Sequence, residues 1–393
     1  MADMKTTIIK SMENGAETLT TIEERRKTGI FYNDAPAETS RTIDALHRKS
    51  IELKVKSAYM NTDKSRTIRL VSADESPLPV FESGQYINIF ATIDGVRTSR
   101  PYSISSPSTC RDYYEITAGR IPENGFFSDF LIDKVKEGDF LQANGPAGTF
   151  HYHPVFHKDN QVFIAGGTGI TPFMSMTREV LENNLNRNIH LIYGVANTGN
   201  MLFRDELYKM AEEYHNFTFT PVYSEPEEGW TGHTGFVTCE LLKELVCNID
   251  DSTFYLCGPQ VMNASVEKSL LELGAKKSMI RREMFSQNQG IHRMPGWPEG
   301  LDPDEEFNIT VHYGHDTKTV KGKAKESLLV TLERHGIRVN VCCRSGECSM
   351  CRVKLKDGNV FIAQGSLQRR ADEKFGYVHS CKAYPISDVE IIL

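Results

Sequence analysis

A chain of 393 residues, 39% hydrophobic and 25% charged, has the make-up of a folded globular protein and the length of about two to four domains. Its formal charge of −7 excludes a general nucleic-acid binder, whose phosphate contacts need a surplus of Lys and Arg. No window is apolar enough to span a bilayer, and Met1 to Gly15 lacks the apolar stretch of a signal peptide, so a cytoplasmic location is expected.

Residues 1–50 are polar and charged, with helical texture only in TIEERRKTG and SRTIDALHRKS, and read as an extension of unknown role. From Ile51 the chain turns to short alternating runs, IELKVKSAYM, RTIRLV and QYINIFATI, broken by SADESPLP, ESG and IDG. This spacing predicts a small antiparallel barrel over 51–153. Over 154–286 the texture changes to VFIAG, GTGITP, FMSMTREVLENNL, IHLIYGV, FRDELYKMAEEY, FTFTPVY, CELLKELVCN, STFYLCG and MNASVEKSLLELG. Strand, helix and strand in alternation predict a doubly wound parallel sheet. The Pro- and Gly-rich stretch 287–306 reads as a linker. The remainder, 307–393, holds the strand-like FNITVHY, RVKL and DVEIIL and the helix-like SLLVTLERHG.

Nine cysteines are present, and five of them crowd the last of these segments. Without a secretory signal, such clustering points to metal ligation before disulfides. Cys343, Cys348, Cys351 and Cys381 follow C-x4-C-x2-C…C, the spacing of plant-type [2Fe–2S] ligands. Three thiolates on one loop can wrap one side of a cluster while a distant fourth closes it, and Ser345 and Gly346 leave room for backbone N–H groups to reach sulfur. The rival is a zinc site, which favours paired C-x2-C knuckles, of which this segment has one. Cys342 falls outside the spacing.

Four motifs occur in one order: Arg100-Pro-Tyr-Ser103, Gly166-Gly-Thr-Gly-Ile-Thr-Pro172, Cys257-Gly-Pro259 and the cysteine loop. Each is short and recurs by chance; jointly ordered, they resemble the ferredoxin–NAD(P)+ reductase superfamily, and within it members with a C-terminal ferredoxin, such as oxygenase reductases and reductases of hybrid-cluster proteins. The resemblance covers roughly residues 51–393. It implies an antiparallel β-barrel flavin domain, an α/β doubly wound nucleotide domain and an α+β, β-grasp-like ferredoxin domain.

The same resemblance assigns site residues. Arg100, Pro101, Tyr102 and Ser103 match the flavin strand, in which a guanidinium suits a flavin phosphate, a tyrosine ring the isoalloxazine and a hydroxyl its N5. Ile116, Thr117 and Ala118 match a second flavin-facing strand. Gly125, Phe127 and Ser128 match a helix start suited to a pyrophosphate, with a plain N-cap as the competing reading of Ser128. Gly167, Thr168, Gly169 and Thr171 match the nucleotide loop, where Pro172 also serves as a helix starter. Cys257, Gly258 and Pro259 match the site beside the nicotinamide, although a buried strand cysteine is otherwise a small apolar residue. Glu283 and Phe285 match an acid and an aromatic near the flavin. Ser224, followed by Glu225, occupies a place where phosphate-selective relatives carry an arginine.

A nicotinamide surrenders two electrons at once and a [2Fe–2S] cluster passes one at a time, so a flavin between them would divide the pair. The expected enzyme is an NADH-dependent oxidoreductase using FAD, with FMN as the alternative flavin and NADPH as the alternative donor. Electrons would leave through the ferredoxin domain to a redox partner protein, an oxygenase or hybrid-cluster protein among the candidates. From Glu306 onward, 14 Lys and Arg stand against 10 Asp and Glu, so a partly basic exit surface is expected. The alternative is a quinone or free-flavin reductase working without a protein partner, and a cluster-holding sensor is a further class.

Overall fold

The computed structural model describes residues 15–28, 48–121, 126–283, 290–364, 366 and 368–393. The chain divides into two units, 1–46 and 47–393. In the first, Gly15–Thr28 forms a helix that includes most of TIEERRKTG.

The second unit begins with a six-stranded antiparallel sheet: β1 (Arg48–Thr62), β2 (Ser65–Ser72), β3 (Tyr86–Ile93), β4 (Val96–Ser103), β5 (Tyr114–Gly119) and β6 (Phe140–Ala147). Their order is β4-β3-β6-β1-β2-β5, and a bridge between Ile104 and Ile116 joins the two ends into a barrel. The period of two is plain in β1, where Ile51, Leu53 and Val55 enter the core and Glu52, Lys54 and Lys56 face solvent. This strand starts at Arg48, inside the stretch read as helical. Arg48 pairs with Gly145, ninety-odd residues away, and such a tertiary partner leaves no local signal.

Next come β7 (Asn160–Gly166), β8 (Asn188–Val195), β9 (Phe217–Tyr223), β10 (His233–Thr234), β11 (Ser252–Cys257) and β12 (Ile280–Glu283). They form one parallel sheet in the order β10-β9-β8-β7-β11-β12. Both faces are covered: Phe163, Ala165, Leu191, Tyr193 and Tyr255 fill one core, while Val162, Ile164, Ile192, Phe254 and Leu256 fill the other. That double burial explains why these strands read as unbroken apolar runs.

The last module contains β13 (Glu306–Tyr313), β14 (Asp316–Lys323), β15 (Arg352–Asp357), β16 (Val360–Phe361), β17 (Tyr377–His379), β18 (Tyr384–Pro385) and β19 (Val389–Ile392). Five of them make a mixed sheet, β14-β13-β19-β15-β17, with β13 and β19 parallel. The helix Leu328–Arg334 supplies Leu328 and Leu332 to a core with Ile309, Val311, Val353 and Ile391. Part of the stretch read as linker packs onto this module: Ile291, Met294 and Trp297 cluster with Phe361, Ala363 and Tyr384. Three apolar side chains three residues apart within a Pro- and Gly-rich stretch are too few to mark a helical face, so only the folded surface reveals their partners. Among the described residues, no helix is long and apolar enough to cross a membrane.

Candidate active site

Strand pairing brings the motif residues to one end of two sheets. In the parallel sheet Ala165 of β7 stands opposite Cys257 of β11, and Cys257 opposite Glu283 of β12, so their carboxyl ends lie level. Ligands of open α/β sheets bind at this edge. Gly167–Ile170 makes a tight turn out of β7, and the helix Thr171–Glu182 follows with Pro172 in its first turn. Thr171 Oγ1 donates to Thr168 O at 2.8 Å. A Cβ on Gly169 would sit 2.0 Å from Cys257 O, so only glycine lets this loop lie against the Cys257-Gly258 backbone. Thr168 in turn packs on Gly119 at the end of β5, joining the nucleotide loop to the barrel.

On the barrel, Ser103 closes β4 with its Oγ buried and without a partner, and Tyr102 lies beside Phe127 with ring centroids 6.1 Å apart. Arg100 Nη1 donates to Thr98 Oγ1 at 2.9 Å and Ser99 O at 2.7 Å. Burial, the Arg344 charge nearby and the opposing pull of Glu333 leave Arg100 lowered to about 10, still a cation at neutral pH. Ile116 and Ala118 belong to the barrel core, and the Thr117 hydroxyl lies 2.7 Å from that of Thr67, so these side chains are already committed. Ser128 is buried within the short helix Phe126–Asp129. Gly125 and Phe285 lie outside the described residues. Ser224 and Glu225 are exposed just past β9 and anchored by their backbones to Val195 O and Ala196 O.

Cys257 is fully buried, and burial, with Glu283 beside it, pushes its thiol well up, so it stays neutral. Burial, then Glu347 and Cys343, likewise push the Glu283 carboxyl well above the ordinary carboxylate range, and its Oε2 has no partner.

The four ligand-spaced cysteines form two pairs. Cys343 lies beside Cys348 and Cys351 beside Cys381, close enough for each thiol to perturb its neighbour, and Cys342 also lies against Cys348. The second pair is drawn together because Cys351 O accepts from both the N–H (3.0 Å) and Oγ (2.7 Å) of Ser380. Cys343 Sγ accepts backbone N–H groups of Ser345 and Cys348, each at 3.4 Å. The loop curls through left-handed backbone at Arg344, Gly346 and Ser349. Among the described residues, no three His, Cys, Asp or Glu side chains converge as ligands of a single ion. Two thiol pairs with N–H groups aimed at sulfur suit a two-iron cluster better than mononuclear zinc.

All three modules line one cleft: Tyr86, Pro101 and Ser103 from the barrel, Glu283 from the nucleotide sheet, and Cys343, Ser345 and Glu347 from the cysteine loop. Sequence reasoning missed Tyr86, Asn88, Thr98, Glu333, Arg344 and Glu347. Tyr86 OH lies 3.6 Å from Cys342 Sγ, and Asn88 Nδ2 donates to Val341 O at 3.3 Å. Only Arg344 and Glu347 carried a signal, since they sit among the ligands.

The family model of the oxidoreductase FAD-binding domain matches residues 53–152, that of the oxidoreductase NAD-binding domain residues 163–268, and that of the 2Fe-2S iron-sulfur cluster binding domain residues 311–385. The chain belongs to the ferredoxin–NAD(P)+ reductase superfamily, with a C-terminal [2Fe–2S] domain. It is 27% identical over 327 residues to the glycine betaine monooxygenase reductase subunit of Pseudomonas aeruginosa, spanning 81% of this chain and 89% of the relative. Against NADH-cytochrome b5 reductase 1 of Scheffersomyces stipitis it is 36% identical over 210 residues, 53% of this chain and 72% of the relative. The solved structure of phthalate dioxygenase reductase shares the fold with a TM-score of 0.66 and 23% identity, covering 88% of this chain and 98% of that one. As a member of this superfamily, the chain is an NADH-dependent oxidoreductase that passes electrons through FAD and a [2Fe–2S] cluster to a redox partner protein.

Proposed function

We propose that the redox partner is the oxygenase component of a multicomponent oxygenase, and that the cleft where the three modules meet is where electrons change carrier. The observation that carries this reading is the shared lining of Ser103, Glu283 and Cys343, one residue from each module. Relatives that span most of the chain are reductase subunits of oxygenase and demethylase systems, which supports the choice of partner.

In this reading Arg100 holds the flavin phosphate, Tyr102 covers the ring, and Ser103 turns its unpartnered hydroxyl toward the reacting edge. FAD, when bound, takes up an electron pair and releases it singly. Gly167, with open space where a Cβ would stand, lets nucleotide phosphates approach the Gly167–Gly169 loop, while Gly169 and Pro259 let that loop pack against the backbone after Cys257. Burial biases the Cys257 thiol and the Glu283 carboxyl toward their neutral forms, which keeps negative charge away from the place where hydride moves. Cys343, Cys348, Cys351 and Cys381 hold the cluster. Met350, between two of these ligands, is half exposed and gives the cluster an edge toward a partner.

The test mixes the NADH-reduced protein anaerobically with the purified oxygenase component. The cluster's EPR signal should vanish and product should form only when both proteins are present. Saturable turnover with quinone or free flavin that survives Cys348→Ser, with no electron passing to the oxygenase, overturns the reading.

A further inference from the structure

We propose that Arg344, carried on the cysteine loop, supplies a second guanidinium to the flavin phosphate, so that flavin binding and docking of the iron–sulfur module reinforce each other. The inference rests on the assignment of Arg100 to that phosphate.

Two guanidiniums from different modules meet on one oxygen. Arg100 Nη1 donates to Thr98 Oγ1 at 2.9 Å, and Arg344 Nη2 donates to the same atom at 3.2 Å. The Thr98 hydroxyl donates onward to Glu333 Oε2 at 3.0 Å, and Arg344 also pairs with the Glu333 carboxylate. One carboxylate thus faces two guanidiniums, which leaves a surplus positive charge where the Arg344 side chain is only 3% exposed. Buried cations of this kind call for a counter-ion.

Arg344 also has donors to spare. Its Nε and Nη1 are buried without a hydrogen-bond partner, a costly state for a group that offers five N–H bonds in a rigid fork. Its backbone is held at a φ of 54°, which a long side chain rarely adopts, so the loop sustains strain to present this residue. A phosphate beside Arg100 would answer both demands: it brings negative charge and oxygens that match a guanidinium fork. The contact would make the phosphate a bridge between the barrel and the cysteine loop.

The test titrates the full chain, freed of flavin with its cluster retained, with FAD, FMN and riboflavin, following flavin fluorescence; the cluster EPR signal checks each variant. Arg344→Gln should weaken FAD and FMN about tenfold to a hundredfold, the range of a charge-assisted hydrogen bond, and leave riboflavin unchanged. Glu333→Gln, which removes the competing carboxylate, should tighten both phosphorylated flavins a few-fold. If Arg344→Gln binds FAD as the wild type does while Arg100→Gln binds it weakly, the cross-module role is wrong and the flavin-phosphate reading of Arg100 stands. If neither variant changes FAD binding, both fall. An equal loss for riboflavin overturns the phosphate contact. Should Arg344→Gln lose its cluster, Glu333→Gln decides alone, and unchanged or weaker FAD binding there overturns the inference.

Discussion

The flavin barrel meets its two neighbours in different ways. Toward the nucleotide sheet the seam is a buried charge network. Arg178, on the helix after the nucleotide loop, grips Glu206 with Nε and Nη2 at 2.7 Å each, and its Nη1 reaches Glu115 of β5 at 2.9 Å and Ser105 O at 2.8 Å. Ser175 Oγ and Ser108 Oγ add bonds to Ser106 O and Glu179, both at 2.7 Å. Toward the ferredoxin module the polar seam centres on Thr98, with Asn88 and Tyr86 at its side. The difference follows the chemistry on each side. Hydride transfer needs reacting atoms held at contact distance, about 3–3.5 Å, and a rigid seam keeps them there. Single electrons cross longer gaps, so the second seam can be thinner and include a contact that the flavin itself completes.

Breaking the cluster side outright gives the largest effect. Cys348→Ser should abolish the [2Fe–2S] EPR signal and NADH-driven reduction of cytochrome c, while ferricyanide reduction, which the flavin domain can perform, persists. Stoichiometric cluster in this variant would show that Cys348 is not a ligand.

Breaking the nucleotide seam costs stability as well as rate. Arg178→Met leaves Glu115 with Arg69 as its remaining cation and strips the partly exposed Glu206 of its partner, a loss of about 1–3 kcal/mol. Denaturant unfolding measures it, and stopped-flow mixing with NADH should show slower flavin reduction. A variant as stable as the parent would make this seam no firmer than the other.

A gentler change probes how the same side reads its nucleotide. Ser224 and Glu225 are exposed after β9, and Glu225 would repel a 2′-phosphate. Glu225→Arg should raise kcat/KM for NADPH relative to NADH about tenfold through a new charge-assisted contact. Equal specificity constants in parent and variant would place this loop away from the ribose.

The smallest effect is acid sensitivity of the segment joining barrel to sheet. His157 Nδ1 accepts the His153 N–H at 3.0 Å and lies 2.7 Å from the Tyr255 hydroxyl. Burial, then the charges of Arg281, His153 and His151, lower this histidine from 6.5 to about 4. Because the folded value is depressed, the unfolded chain binds more protons between these limits. Its contribution is therefore complete above pH 6.5 and fades as pH falls toward 4, by about 1 kcal/mol once partial exposure is discounted. His157→Gln should flatten that part of the stability profile in thermal melts across this range.

The sequence by itself determined the order of modules and marked the candidate cluster ligands, while its resemblance to the reductase superfamily supplied the cofactor classes. The modules and the ligand candidates rest on patterns read locally: period-two strands, apolar runs between glycine loops, and the C-x4-C-x2-C…C cysteine spacing. The resemblance also marked Ser103, Cys257 and Glu283, which close β4, β11 and β12, and Arg100 within β4. What only the tertiary structure decided lies between modules. The strand beginning at Arg48 exists because Gly145 pairs with it, and the packed residues of 290–306 gain meaning only from Phe361 and Tyr384. Thr98, Glu333 and Arg344 look like an unremarked strand residue, a helix end and a loop filler, since each owes its role to a partner 11 to 246 residues away. Hydrogen bonds and buried charge are set by distance in space, and periodicity along a chain records only which face of an element is covered.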